Sequence, residues 1–138
     1  MAAYNKFQSF VEALAEKVHN LGSDTLRVAL SNTAPVNTNT TLANITEIAN
    51  GNGYTTGGTA VSTTGSAQTA GTYKLTLADV VFTATGAVGP FQYAVLYNDT
   101  ATNNELIAWW DYGSTVTLAS GDTFTVDFDA SAGVLTIA

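Results

Sequence analysis

The sequence predicts a mainly β protein: an antiparallel, jelly-roll-like β-sandwich of about eight strands with one N-terminal amphipathic α-helix. Three observations predict it. Short segments of alternating apolar and polar residues recur along the chain, separated by Gly-, Asn- and Ser-rich turns. Only 11% of residues are charged, against about 25% in an average globular chain, so Thr, Asn, Ser and Gly dominate the polar surface. Thr fits a pleated strand, while Asn and Gly supply turns. Helical periodicity occurs once, and no βα pattern repeats, which argues against a parallel sheet.

The chain of 138 residues is long enough for one domain with a real core. A domain of this size buries roughly two-thirds of its unfolded surface and needs no staple. There are no cysteines, so disulfides are excluded, and no linker divides the chain. The expected organisation is a single domain, 1–138, with helix 5–21 packed on a sandwich spanning 24–138.

Phe7, Phe10, Val11, Leu14, Val18 and Leu21 carry the helical spacing and fall in one stripe. Asn5 is the expected N-cap, with Gln8 completing a capping-box variant, and Gly22 the expected C-terminal stop. His19 falls on the polar side. In 24–30, Leu26, Val28 and Leu30 point inward. The stretch 36–59 is mostly Thr, Asn and Gly; its apolar island 42–49 reads as a turn on the sheet edge, and 50–58 as loop. A weak strand follows at 60–64. A strong one at 73–84 changes parity near Ala78 and Asp79, the mark of a bulge or corner. Short strands are expected at 115–118, 123–129 and 134–137.

The stretch 89–112 holds about half of the chain's aromatic residues. It reads as two strands, 91–98 and 105–112, around a polar tip, 99–104. Both strands are apolar on both faces. Parity places Leu106, Ala108, Trp110 and Tyr112 on one face and Ile107, Trp109 and Asp111 on the other. One face is core; the other needs a cover, either the helix or a second subunit. Tyr97, Trp109 and Tyr112 are the candidate interface residues, because large aromatics favour interfaces.

The formal net charge is −7, with only Lys6, Lys17, Arg27 and Lys74 basic. Such a surface repels phosphates, so no direct nucleic-acid partner and no anionic membrane surface is expected. No apolar run approaches the roughly 18 residues of a membrane helix, and no signal peptide is recognisable. A Ser-His-Asp triad would need His19 with a serine such as Ser114 or Ser120, yet no nucleophile elbow surrounds any serine. Asp111, Asp127 and Asp129 stand near aromatics as glycosidase acids do, but Asp127 and Asp129 point outward on their strand. The acids of 127–129 and the Asn/Asp loop 98–104 could offer oxygens to calcium, yet they match ordinary turn chemistry. No catalytic, metal or cofactor-binding residues are therefore assigned, and no cofactor is expected.

The blocks YNKFQSFVEALAEKVHNLGSDTLRVALSNTAP, LANITEI, GPFQYAVLYNDTA, LIAWWDYG and FTVDFDASAGVLTIA together resemble small structural proteins of tailed bacteriophages, over nearly the whole chain. The resemblance is greatest to head decoration (cement) proteins with jelly-roll folds. It implies a virion protein, made in the host cytoplasm, that binds the outside of the major capsid protein shell and reinforces it. Homodimers or homotrimers would be natural on such a lattice. A tail or fibre module binding carbohydrate or receptor, with Trp109 as stacking platform, is the alternative.

Overall fold

The computed structural model describes residues 2–138. The protein is mainly β, with antiparallel sheets and one short helix. One sheet has five strands in the order β1 (Asn5–Lys6), β8 (Leu106–Leu118), β7 (Val88–Asn98), β2 (Leu26–Ser31), β3 (Thr59–Val61). Facing it are a three-stranded sheet, β10 (Leu135–Ile137), β5 (Thr72–Leu77), β4 (Thr63–Thr69), and a two-stranded one, β6 (Val80–Thr83) with β9 (Thr123–Val126). The main core fills the space between, with Leu26, Val28 and Leu30 of β2 meeting Leu75, Leu77 and Phe82 of the opposite layer.

The predicted corner at Ala78 and Asp79 is where β5 ends and β6 begins. There the chain passes from pairing with β10 to pairing with β9. The Asp79 carboxylate bridges the break, with Oδ1 accepting the Phe128 N–H at 2.9 Å.

The helix is much shorter than its periodicity predicts. α1 spans Ser9–Ala15, seven residues, with Gln8 rather than Asn5 at the N-cap. Residues 5 and 6 are drawn into β1 instead, opposite Trp109 and Ala108. Phe7 is then buried on the outer side of the five-stranded sheet, whereas Phe10 is buried in the main core. One helical stripe cannot serve two clusters on opposite sides of a sheet. At the other end Lys17 adopts a left-handed φ of 69°, and the Val18 N–H reaches back to the Ala13 carbonyl at 2.9 Å. This is a Schellman stop with lysine where glycine is usual, five positions before the predicted Gly22.

Strand number also departs from the sequence prediction. β4 extends through Gly65–Thr69, a stretch too polar to show alternation. The expected strand 115–118 is the end of a continuous β8. With β1 and the β5–β6 break, the described residues form ten strands rather than about eight.

A register shift in the β7–β8 hairpin reverses parity. Leu96 opposes Ala108, but Tyr97 opposes Leu106, leaving Ile107 as an extra residue. Leu106 therefore joins the outer cluster and Ile107 the main core, the reverse of the alternation count.

The chain covers the outer face itself, but not with the helix. Residues 41–47 form a strap across it. Thr41 bridges to Glu105 next to β8, and Glu47 bridges to Ser31 on β2. Between these anchors a single 3-10 turn, Leu42–Asn44, aims Leu42 and Ile45 at Ala29, Val95, Tyr97 and Leu106. The Ser31 hydroxyl donates to the Thr46 carbonyl at 2.6 Å, and the Ile48 N–H to the Leu30 carbonyl at 3.1 Å. Glu47 Oε2 then accepts from the Tyr54 hydroxyl at 2.6 Å and the Gly57 N–H at 2.8 Å. A segment that composition marks as loop is thus a structural lid on the sheet, not a turn on its edge.

Candidate functional site

Where the second layer is interrupted, an opening forms beside the inner face of the five-stranded sheet. The result is a cleft of about 940 Å³. Phe91 and Trp110 stand at its wall, with Tyr112, Phe124 and Phe128 beside them. The aromatics brace one another. Phe124 meets Phe91 edge-on at 4.9 Å and Tyr112 at 5.4 Å, and Trp110 meets Phe128 at 5.5 Å. Three aspartates, Asp79, Asp127 and Asp129, also line the cleft, and none of the described residues lining it is basic. The cleft is thus an aromatic recess with an acidic border.

The three candidate interface residues separate. Tyr112 is 58% exposed at the cleft. Trp109 is half-buried on the other side of the sheet, against Tyr93 and the outer cluster. Tyr97 is 1% exposed, so the prediction of an interface role for it is corrected. It lies under the strap, and its hydroxyl donates to the Gly57 carbonyl at 2.5 Å. Alternation alone shows which face a side chain takes; it does not show that a distant polar loop returns to cover that face.

Sequence reasoning missed the cleft itself. Phe124, Val126 and Phe128 were legible as one inward face of β9 and the residues beyond it. Nothing in the pattern shows that the opposing layer breaks beside them.

His19 is corrected too. It lies beyond the end of α1 and is 5% exposed, not solvated on a helix face. Asn98 Oδ1 accepts the N–H groups of Thr100 and Ala101, at 3.0 and 3.2 Å, which fixes its amide orientation. Asn98 Nδ2 then donates to Asp24 Oδ2 at 2.6 Å and to His19 Nδ1 at 3.0 Å. The imidazole proton accordingly sits on Nε2, which has no partner among the described residues. No serine belongs to this network: Ser114 lies in β8 and Ser120 in the turn before β9.

Burial pushes the imidazole below its ordinary value of 6.5, while the charges of Glu105 and Asp24 act the other way. As pH falls through 6.5, the unfolded chain takes up a proton before the folded one does. Stability from this residue is therefore complete above 6.5, falls as pH drops toward the lowered folded value, and is level below it. The urea midpoint should drop between pH 7.5 and 5.5, and His19→Gln should flatten that part of the profile. A wild-type midpoint that rose over the same interval would contradict the buried neutral assignment.

Two of the three candidate acids hold local backbone or side-chain N–H groups. Asp129 Oδ1 accepts the N–H groups of Ser131 and Ala132, both at 2.8 Å, which holds its carboxyl below the usual range. Asp111 Oδ1 accepts from Gln92 at 2.9 Å and from the Gly113 N–H at 2.7 Å. Among the described residues, no group of three or more histidine and acidic side chains is placed to hold a metal ion. No helix there is long and apolar enough to cross a membrane. No protein-family model, no curated protein and no solved structure matches this chain.

Proposed function

We propose that this chain is a virion structural protein of a tailed bacteriophage, a decoration protein that binds the outside of the major capsid protein shell and stabilises it. The observation that carries the proposal is the cleft beside Tyr112. An open aromatic recess on a Thr/Asn-rich domain is the kind of surface that becomes buried against a partner. The resemblance of the sequence blocks supplies the partner class. A rigid sandwich with its outer face already sealed leaves the cleft end as the contact surface. Many weak copies would then reinforce a lattice, because each ties neighbouring subunits together.

The test is quantification of the protein in purified full heads and in isolated tails. High copy number in heads is expected, with occupancy reduced for Tyr112→Ser while the fold is retained. A few copies per virion, or presence in tails alone, would overturn the assignment.

A carbohydrate- or receptor-binding tail module is the second function we put forward. It is favoured by the exposed Tyr112 ring next to the Gln92–Asp111 pair, an aromatic platform with planar polar groups beside it. Trp109, the platform expected from sequence, is half-buried against Tyr93 and serves less well. Glycan-array binding that is lost on Tyr112→Ser would select this alternative over the first.

A further inference from the structure

We propose that two copies of this chain pair edge to edge through β4, antiparallel strand against antiparallel strand across a two-fold axis. Sheet edges expose unpaired N–H and C=O groups, and proteins guard them by shortening, charging or covering the strand. The other edges of this fold are short or guarded, β6 by its length of only four residues. β1 has two residues and carries Lys6, and β3 has three residues. β10 has three residues beside α1. The free side of β9 borders the cleft, between Asp122 and Asp127. β4 is neither short, charged nor covered, and its one bulge, between Thr63 and Gly65, lies before the exposed stretch. It runs seven residues, TTGSAQT, with no charge and no proline, and Ser66–Thr69 are all exposed.

The turn beyond β4 fixes which groups face outward. Ala70 and Gly71 have φ of 51° and 85°, a two-residue turn with both central φ positive, and Thr69 pairs with Thr72 across it. In such a hairpin the closing pair exchanges both hydrogen bonds, and bonded pairs then alternate. Ala67 opposite Lys74 is the next bonded pair, so Ser66 and Gln68 present their N–H and C=O groups to the open edge. A second β4 running antiparallel, with Ala67 opposite its own symmetry mate, satisfies all four groups on each copy.

Charge selects a second copy as the occupant. The chain carries −7, so most of its faces repel an identical chain. β4 is neutral, and the basic group nearest it, Lys74, is tied back to the Ser131 carbonyl at 2.9 Å. A short isologous ribbon of this kind would associate weakly in solution and act where copies are concentrated on a surface.

Sedimentation equilibrium of the purified full chain tests this without any virion, so its outcome is separable from that of the capsid assignment. The weight-average mass should rise with concentration from the monomer's 14.3 kDa toward twice that value. Ser66→Pro removes one outward N–H and leaves the bonded pairs to β5 in place. Ala67→Glu sets like charges opposite each other across the axis, while within the hairpin it faces the oppositely charged Lys74. Each variant should remain monomeric while keeping the wild-type circular dichroism spectrum and melting temperature. A wild-type protein that stays monomeric to about 1 mM would overturn the proposal. So would a dimer that survives Ala67→Glu, whose carboxylate faces Lys74 with opposite charge within the hairpin.

Discussion

Replacing Trp110 with alanine is expected to lower the free energy of unfolding by about 3–5 kcal/mol. The indole is buried in the main core and held edge-on between Phe128, at 5.5 Å, and Tyr4, at 5.9 Å. Its removal takes away both contacts and enlarges a recess that already opens to solvent at the cleft, so collapse cannot fill the space. A domain of this kind has only about 5–15 kcal/mol in total, so the variant should unfold at a much lower urea concentration. Trp109→Ala should cost less, because that indole is half-buried. It is nevertheless expected to lower monomer stability, since its neighbours belong to the chain's own outer cluster. A Trp110→Ala midpoint within experimental error of the wild type would refute this account of the core.

The second large effect is expected from Gly58→Ala. Gly58 sits at the end of the segment that carries the strap, with φ of +76°. An added Cβ would be driven into the Val28 carbonyl oxygen and against the Ala29 backbone, both part of β2. The same corner is held by Arg27, whose Nη2 donates to the Gly58 carbonyl at 2.8 Å. The chain can relieve the clash only by separating β3 from β2. We expect a loss of about 2–4 kcal/mol, of which about 1–2 is the cost of alanine at positive φ. Gly121→Ala measures that strain alone, because Gly121 has φ of +90° and nothing within 4 Å of the added carbon. Chemical denaturation of both variants should therefore rank Gly58→Ala well below Gly121→Ala. Equal losses would mean that the close backbone approach is unimportant.

Much of the architecture was legible because period-two alternation is a strong signal when one face is buried. β2, the hairpin of β7 and β8, and β9 all carry it. The corner at Ala78 and Asp79 showed itself through a change of parity. What was not legible has physical causes too. β4 lacks apolar alternation because both of its faces are exposed from Ser66 to Thr69. α1 was overextended because Phe7 and Phe10 keep helical spacing while serving opposite sides of a sheet. The extra residue at Ile107 reversed the faces of Leu106 and Ile107, and a bulge of that kind leaves no mark in composition. Tyr97 was expected at an interface, but its cover comes from residues 40 or more positions away in sequence. The cleft was unreadable for a similar reason: it is defined by where a second layer stops.

The strap has a consequence for how this chain can be lengthened. By composition, 36–59 is the obvious place to insert a tag, an epitope or a further module. Its two ends are nevertheless tied to different strands, and Leu42 and Ile45 must land together on the sheet between them. Added residues inside 42–47 would lift both from Ala29 and Val95 and uncover the outer cluster. The polar turn at Thr102 and Asn103 is different: both residues are exposed and neither belongs to a core cluster. Extra chain there leaves every apolar contact in place.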